Sequence, residues 1–312
     1  MTMLLLAVPV TWAPLWTTPL GEIAPELTLA VEGRDAYDKA EVDYVLSFRP
    51  APGFLATLPK LKAVFSLGAG VDGFLADKDY PGGVPLVRFV DHTLSREMAQ
   101  FVVMHVLMHH RMAKFFEQAQ RDGKWRQTIP PRRTEDTRVG ILGLGEIGML
   151  AARHLRDLDF QVLGWSRTKK HVDAITSFAG DGELEAFLGS TDILVCLLPL
   201  TPQTRGILNA RTFAKLPSGA YVINVARGGH LIEPDLIAAL DSGHLSGAVL
   251  DVFQTEPLPE DNPLWRHPKV TVTPHVGAIS DPRVAAQYVY DRIKRHTRGD
   301  ALDHVVDMAR GY

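Results

Sequence analysis

Short apolar runs alternate with longer stretches of mixed polarity along most of the chain. Apolar runs of about four to eight residues are typical of strands buried on both faces, as in parallel sheets covered by helices. Two such sheets are predicted, so the pattern indicates an α/β protein. The first sheet comprises residues 4–9, 27–29, 44–48, 63–66 and 86–89, and the second comprises residues 139–142, 162–165, 193–197, 221–224, 248–250 and 270–273.

The longest predicted helix covers residues 95–116, where the apolar positions span so wide an arc that more than one neighbour must cover them. Residues 122–131 then form a predicted exposed excursion that could embrace a second subunit and bring Trp125 towards that subunit's active site. Another helix is predicted after His275.

A glycine-rich segment, Gly143-Leu144-Gly145-Glu146-Ile147-Gly148, joins a predicted strand to an amphipathic helix at residues 149–157. This context is typical of a dinucleotide fingerprint. Gly143 would permit the tight turn, Gly145 would let the backbone approach a pyrophosphate, and Gly148 would let the helix pack on the strand. The anion would lie at the helix N-terminus. The alternative is that the glycines serve only the turn and its packing.

The next strand ends in Ser166-Arg167-Thr168-Lys169-Lys170, where an NAD-specific protein would place an acidic residue. Arg167, Ser166 and Thr168 could instead bind a 2′-phosphate. We therefore expect NADPH to be preferred over NADH. A solvated basic turn, with Lys169 and Lys170 as bystanders, is the alternative.

Three polar side chains follow strands of the second sheet, namely Arg227, Glu256 and His275. An imidazole can donate a proton near neutral pH, and a neighbouring carboxylate orients it and favours its charged form. A guanidinium can bind a substrate carboxylate and polarise a ketone. Downstream of a dinucleotide fingerprint, the set predicts hydride transfer to a 2-keto acid. Taken singly, the three could be an ion-pair partner, a turn charge and a loop histidine.

A second glycine-rich segment, residues 68–73, follows a strand of the first sheet. Its backbone N–H groups at the carboxyl edge of the sheet could hold a substrate carboxylate. A turn that only starts the next helix remains the alternative.

Composition narrows the function classes. The chain has 312 residues, 46% of them hydrophobic, enough for two domains with substantial cores. A net charge of −3 from 33 basic and 36 acidic residues provides no basic surface of the kind that binds nucleic acid.

The apolar run at the start of the chain is interrupted by Pro9 and Pro14, so it predicts a strand and no membrane segment. The single cysteine, Cys196, is predicted to be buried, and no Cys or His spacing predicts a metal site.

Together these stretches resemble the D-2-hydroxyacid dehydrogenase family, and within it the glyoxylate/hydroxypyruvate reductase A group. The matching stretches are residues 63–72, 140–148, 165–168, 198–202, 224–228, 250–253, 256–259, 273–275 and 309–312. The resemblance implies two Rossmann-like doubly wound domains with a cleft between them. Residues 1–98 and 279–312 would form a flavodoxin-like substrate domain and residues 99–278 the NAD(P)-binding domain. It also implies a cytoplasmic homodimer.

The resemblance extends the predicted site. Further cofactor contacts are implied at Pro199, Leu200, Thr204, Val225, Ala226, Arg227, Asp251, His275 and Gly277. Asp251 would meet the nicotinamide carboxamide or ribose, with capping or salt bridging as the alternative. Substrate contacts are implied at Arg49, Ala69, Gly70, Arg227 and His275. The group usually shows Trp-His-Pro-Pro after the third strand, whereas this chain has Phe48-Arg49-Pro50-Ala51, which puts substrate preference in doubt.

The leading hypothesis is NADPH-dependent reduction of glyoxylate to glycolate and of hydroxypyruvate to D-glycerate, with NADH as the weaker cofactor. A broader range of small 2-keto acids is the first alternative. A protein that binds NAD(P)H as a sensor without turning over substrate is the second.

Overall fold

The computed structural model describes residues 2–68, 70–129 and 132–308. The chain divides into two compact units. We call Met1–Asp91 with Ser280–Tyr312 the terminal unit, and His92–Ile279 the central unit. The predicted assignment of substrate and cofactor to domains, with boundaries after residues 98 and 278, stays a prediction.

The terminal unit is built on a parallel sheet. In its described part, five strands are arranged in the order β2-β1-β3-β4-β5. This order is that of flavodoxin-like folds. The strands are β1 Met3–Ala7, β2 Thr28–Val31, β3 Tyr44–Ser47, β4 Ala63–Ser66 and β5 Leu86–Val87, with helices α1 Ala13–Ile23 and α2 Asp72–Leu75 between them. Short 3₁₀ turns lie at Val10–Trp12, Lys39–Glu41 and Leu55–Thr57.

The central unit holds a larger parallel sheet. Its described residues contribute seven strands in the order β12-β11-β10-β9-β6-β7-β8. The strands are β6 Arg138–Leu142, β7 Gln161–Ser166, β8 Ile175–Ala179, β9 Ile193–Cys196, β10 Ala220–Asn224, β11 Leu245–Leu250 and β12 Val270–Val272. Read from β8, this is the Rossmann order with one added strand, and the order reverses between β6 and β9. Ligands of such sheets bind at the carboxyl ends of the strands near this reversal.

Helices cover both faces of the central sheet. They are α3 His92–His110, α4 Ala113–Arg121, α5 Glu146–Arg156, α6 Gly180–Gly189, α7 Ala210–Lys215 and α8 Glu233–Asp241, with 3₁₀ turns at Thr134–Asp136, Gly228–His230 and Pro263–Trp265. Alternate residues of the strands enter different cores. Ile141 and Val195 pack with α3 and α5, while Leu142 and Leu194 pack with the opposite layer. The predicted fold class, two parallel-sheet α/β domains, is confirmed.

The last helix, α9 Pro282–His296, packs on α1 in the terminal unit. Asp281 caps it, because its carboxylate accepts from the N–H groups of Arg283 and Val284. Ala285, Ala286, Val289 and Ile293 enter the same core as alternate residues of β1 and β3. The helix predicted after His275 is confirmed.

The prediction of a single helix over residues 95–116 is wrong. The structure has α3 and α4, separated at Met112, whose φ of 59° lies in the left-handed region. One such residue ends an α-helix, and an apolar periodicity cannot reveal it. The turn brings Lys114 to the sheet, where its Nζ donates to the Val270 carbonyl at 2.7 Å.

A strand was missed at β8, the edge of the central sheet. Ile175 is buried, but Thr176 is exposed and the remaining residues are half-buried. An edge strand buries few side chains, so the apolar signal used for prediction is weak there.

The predicted exposed excursion is confirmed for residues 122–129. Trp125 is 94% exposed and Ile129 is 83% exposed. Pro130 and Pro131 lie outside the described residues. The contact of this segment with a second subunit stays a prediction.

No helix within the described ranges is both long enough and apolar enough to cross a membrane.

Candidate functional site

The loop after β6 turns sharply into α5. Gly143 has a φ of 103°, and an added Cβ would lie 2.8 Å from the Leu197 carbonyl oxygen. Gly148 packs directly on the Gly143 carbonyl, so a side chain there would force the helix away. These contacts match the predicted turn and packing roles of the two glycines.

Gly145, at the N-cap of α5, faces open space. An added Cβ would meet no atom within 4 Å, and no side chain caps the helix. The first N–H groups of α5 are therefore available to an anion, and the helix dipole favours negative charge there. Leu144 is buried against Gly164, and the Glu146 carboxylate accepts from Ser95 Oγ at 3.2 Å. The local geometry fits a dinucleotide pyrophosphate.

The turn after β7 carries the predicted 2′-phosphate residues. Ser166 is buried and its Oγ donates to the Thr168 carbonyl at 2.8 Å, while Arg167 and Thr168 are exposed. Lys169 contacts Glu183, with Nζ 3.2 Å from Oε1. No acidic residue lies in the segment 166–170. The turn thus presents a guanidinium and a hydroxyl to solvent, as the preference for NADPH requires.

Thr204 makes hydrogen bonds within the loop after β9. Thr204 Oγ1 donates to the Pro199 carbonyl at 2.7 Å and accepts from the Thr201 N–H at 2.8 Å. Pro199 is exposed and Leu200 is half-buried. The loop follows the strand at which the order of the sheet reverses, where cofactor contacts are expected.

Arg227 follows β10 in a tightly packed loop. Buried Asn224 donates from Nδ2 to the Arg227 carbonyl at 3.1 Å and accepts from the Ala226 N–H at 3.3 Å. Gly228 lies directly against the backbone of Phe253, because an added Cβ would overlap it. Val225 and Ala226 are buried. This contact fixes the Arg227 loop next to the segment that carries Glu256.

Glu256 and His275 form a hydrogen-bonded pair. His275 Nδ1 lies 2.8 Å from Glu256 Oε2, and both side chains are about one-third exposed. The other carboxylate oxygen accepts from the Phe253 N–H at 2.9 Å. Nε2 is therefore the ring nitrogen on the side away from Glu256, with the ring oriented by the carboxylate.

The electrostatics of Glu256 favour its ionised form. Burial alone would raise its pKa, but the hydrogen bonds from His275 and the Phe253 N–H, with the charges of His275 and Arg227, lower the pKa below its usual value. Arg227 and His275 thus both act electrostatically on Glu256, in one region of the central unit.

Asp251, fully buried at the end of β11, organises the His275 loop. Its carboxylate accepts from Thr273 Oγ1 at 2.7 Å and from the N–H groups of Val276 and Gly277, both at 2.9 Å. Its carbonyl accepts from the His275 N–H at 2.8 Å. These bonds hold His275 at a φ of 56°, a left-handed conformation that costs about 1 to 2 kcal/mol in a non-glycine residue. In the structure the Asp251 carboxylate bonds to N–H groups of a loop. Its contact with nicotinamide, and the capping or salt-bridging alternatives, stay predictions.

The predicted substrate residues Arg49 and Gly70 belong to the terminal unit. The stem of Arg49 lies over Gly73, and its Nη2 is 3.8 Å from the Asp72 carboxylate. Ser66 Oγ lies 3.4 Å from the Gly70 carbonyl. Ala69 lies outside the described residues, as do residues 309–312 of the resemblance.

A cavity of about 370 Å³ opens beside Arg49 at the carboxyl ends of β1, β2 and β3. Its walls include Val8, Trp12, Glu32, Phe48 and Phe54. These walls are mostly apolar and carry one acid, Glu32, beside one base, Arg49.

Sequence reasoning missed Asn224, Gly228 and His230 as supports of the site. Asn224 and Gly228 stand in the quoted run around Arg227, but their contacts depend on which loops are neighbours in space. No group of three or more His, Cys, Asp or Glu side chains in the described parts of the chain could hold a metal ion.

Fold and site together define a dinucleotide-binding α/β protein of the doubly wound class. A sequence model of the D-isomer specific 2-hydroxyacid dehydrogenase NAD-binding domain matches residues 103–277. The chain is 44% identical over 280 residues to glyoxylate/hydroxypyruvate reductase A of Yersinia enterocolitica, an alignment that covers 88% of this chain and 89% of that protein.

Two solved structures are similar over the whole chain. The D-isomer specific 2-hydroxyacid dehydrogenase of Xanthobacter autotrophicus, in complex with NADPH and MES, has a TM-score of 0.92 and 43% identity, covering 100% of this chain and 99% of that one. The NADPH-dependent glyoxylate/hydroxypyruvate reductase of Sinorhizobium meliloti, in complex with NADP and sulfate, has a TM-score of 0.92 and 40% identity, covering 100% of both chains. The chain belongs to the D-isomer specific 2-hydroxyacid dehydrogenases, a family of oxidoreductases. The resemblance predicted from the sequence is confirmed.

Proposed function

We propose that this protein reduces small 2-keto acids with NADPH, converting glyoxylate to glycolate and hydroxypyruvate to D-glycerate. The observation that carries the proposal is the 2.8 Å contact between His275 Nδ1 and Glu256 Oε2, in the same unit as the glycine-rich turn and the Arg227 loop. An oriented acid, an anion-binding guanidinium and a dinucleotide site are the parts that this reduction requires.

His275 is the proton donor in this proposal. Glu256 accepts at Nδ1, so Nε2 gives its proton to the carbonyl oxygen while the carbonyl carbon receives a hydride. The C=O double bond becomes a C–O single bond, with a new C–H bond formed by the hydride and a new O–H bond formed by the proton, and the imidazole is left neutral. Because its pKa is lowered, Glu256 stays ionised at neutral pH and stabilises the charged ring before transfer.

Arg227 binds the substrate carboxylate through its fork of donors and polarises the keto oxygen. Its loop is suited to this task because Asn224 holds the Arg227 carbonyl and Gly228 packs on Phe253. Fixed positioning of this kind lowers the barrier by keeping the reacting groups aligned.

NADPH supplies the hydride when it is bound. Backbone N–H groups at the start of α5 would hold its pyrophosphate, and Arg167 with Thr168 would hold its 2′-phosphate. Pro199, Leu200, Thr204, Asp251 and Gly277 would line the rest. Solved relatives in complex with NADPH or NADP support this choice.

A broader range of 2-keto acids is the second candidate, and Arg49 favours it. The residue carries a positive charge beside the cavity of the terminal unit, with its side chain 64% exposed. An acid with a second anionic group would gain from this charge. We extend the proposal to a substrate-binding role for residues 1–98 and 279–312, a cofactor-binding role for residues 99–278, and a cytoplasmic homodimer.

The test follows the loss of NADPH and, separately, of NADH absorbance with glyoxylate, hydroxypyruvate, pyruvate and phenylpyruvate at neutral pH. The proposal expects fast NADPH oxidation with glyoxylate and hydroxypyruvate. Comparable rates with all four acids would favour the broader range. Tight NADPH binding without turnover of any acid would refute the reductase and leave a cofactor sensor.

A further inference from the structure

A buried histidine stands where two loops of the candidate site meet. The 3₁₀ turn Gly228–His230 begins directly after Arg227. His230 is its last residue and is 0% exposed. The proposed function assigns it no role in binding or chemistry. Its ring lies between the Arg227 loop and the loop Pro199–Thr204.

The two ring nitrogens of His230 contact these two loops separately. Nδ1 lies 3.1 Å from the Arg227 carbonyl oxygen, and Nε2 lies 3.3 Å from the Pro199 carbonyl oxygen. Carbonyl oxygens only accept hydrogen bonds, so each contact needs an N–H on the ring. A neutral imidazole can donate to one of the loops at a time, and an imidazolium can donate to both.

The backbone around His230 already runs beside the second loop. Its carbonyl accepts from the Leu208 N–H at 2.9 Å, and the Gly229 carbonyl accepts from the Gly206 N–H at 2.9 Å. The side chain extends this pairing towards Pro199, beyond the reach of the backbone bonds. A buried hydrogen bond in such a place fixes the relative position of the segments that it joins.

We propose that His230 is a positioning residue that holds the substrate-binding Arg227 loop in register with the cofactor loop Pro199–Thr204. The inference rests on the proposed function, because it takes its two roles from the residues assigned there. An N–H on Nδ1 holds the Arg227 carbonyl together with Asn224 Nδ2 and the His230 backbone N–H, and an N–H on Nε2 holds the Pro199 carbonyl; the imidazolium makes both ring bonds at once. The two nitrogens therefore influence different kinetic parameters.

Two amide variants separate the nitrogens. The side-chain nitrogen of asparagine can occupy the place of Nδ1, and that of glutamine the place of Nε2. His230→Asn should keep the Arg227 contact and lose the Pro199 contact, raising the KM for NADPH by roughly 3- to 10-fold. His230→Gln should raise the KM for glyoxylate by about the same factor, with the KM for NADPH within about twofold of the wild type.

His244 provides a matched control. Its Nε2 lies 2.7 Å from the Phe213 carbonyl, so it also joins two segments of the central unit through a ring nitrogen. It lies just before β11, at the amino end of the sheet. His244→Leu should lower thermal stability without changing either KM, whereas His230→Leu should raise both.

The experiment measures both KM values, kcat, thermal unfolding and NADPH affinity by fluorescence titration for wild type and all variants. Equal KM shifts in the Asn and Gln variants, or shifts no larger than those of His244→Leu, would overturn the inference. If His230→Leu does not fold, the inference is tested by the KM values of the two amide variants, His230→Asn and His230→Gln. If the wild type turns over no 2-keto acid, the proposed function fails, and the inference is then decided by whether NADPH affinity falls in His230→Asn and not in His230→Gln.

Discussion

Two regions at the carboxyl edge of the central sheet differ in how the chain holds them. The His275 loop is fixed from several sides, because Asp251 accepts from Thr273, Val276 and Gly277 and Glu256 accepts from the ring. The turn after β7 is more open to solvent. Its Ser166 hydroxyl donates to Thr168, and Arg167 and Thr168 are exposed.

The difference matches the two tasks in the proposed function. Proton transfer needs atoms placed within a few tenths of an ångström, and rigid support supplies that accuracy. Discrimination between two dinucleotides needs a charge of the correct sign near a phosphate, which an exposed guanidinium can provide. Mutations should therefore change kcat in the first region and cofactor preference in the second.

The largest effect is expected for His275→Ala. The variant removes the proposed proton donor, so kcat should fall by about 100- to 10,000-fold while NADPH affinity changes little. Stopped-flow kinetics and fluorescence titration measure the two quantities. His267→Ala is the control, because His267 also contacts a carboxylate, with Nε2 3.3 Å from Asp241. Near-full turnover in His275→Ala would remove His275 from the acid role.

A smaller loss is expected for Glu256→Gln. The charge-assisted hydrogen bond to the ring is lost, so kcat should fall by about 10- to 100-fold. Because the pKa of Glu256 is lowered, its carboxylate is ionised at every pH above 4.5, the ordinary pKa of glutamate. The carboxylate loses its charge, and with it its contribution to the rate, only as the pH falls through the lowered pKa. The wild type therefore keeps the ionised carboxylate throughout the interval from pH 5.5 to 8.5, so the ratio of variant to wild-type rate should stay low over this whole interval.

A pH profile of kcat/KM from pH 5.5 to 8.5 tests this expectation. Asp241→Asn, which removes the partner of His267, should leave the profile unchanged. A ratio near one for Glu256→Gln within this interval would show that the ionised carboxylate does not contribute to the rate.

A still smaller effect is expected for Arg167→Asp. The added negative charge opposes the 2′-phosphate, so the KM for NADPH should rise roughly 10-fold while the KM for NADH changes by less than about twofold. Lys170→Asp makes the same charge change nearby and should shift both values little. Equal shifts for the two cofactors in Arg167→Asp would exclude Arg167 from the phosphate site.

The smallest effect on both regions is expected for Asp192→Asn, at the amino end of β9. The Asp192 carboxylate accepts from Arg138 Nε at 2.9 Å and Nη2 at 2.8 Å and pairs with Arg132 at 2.7 Å. Burial would raise its pKa, but these arginines lower it below the ordinary 3.8. Its stabilising contribution is therefore present above 3.8 and is lost as pH falls through the lowered value.

Asp192→Asn should lower the free energy of unfolding at pH 7 by about 1.5 to 3 kcal/mol, with less difference at acid pH. Urea unfolding at several pH values measures it, with the exposed Asp157→Asn as control. The KM values and kcat of the folded variant should match the wild type. A change in kcat as large as that of Glu256→Gln would contradict the view that the amino end of the sheet contributes to stability and only the carboxyl end to catalysis.

Local signals explain what the sequence could predict. Buried strands such as β6 and β9 are continuous apolar runs, and the glycines of the fingerprint stand at fixed spacing beside them. Arg227, Glu256 and His275 follow segments of one sheet, so parallel topology alone brings their loops to one edge.

Spatial neighbours explain what the sequence could not predict. The break at Met112 is one backbone angle, and β8 is an edge strand with few buried residues. His230 stands beside Pro199 only because two loops far apart in sequence are adjacent. Such contacts leave no periodic pattern in the sequence.

The buried position of the single cysteine has a practical consequence. Cys196 lies at the end of β9 inside the core, where burial raises its thiol pKa to about 12. A thiol of this kind does not react with maleimides or spin-label reagents in the folded protein. Trp125→Cys would then introduce the one reactive thiol of the chain at an exposed position, and a distance measured between two such labels would test whether two copies associate.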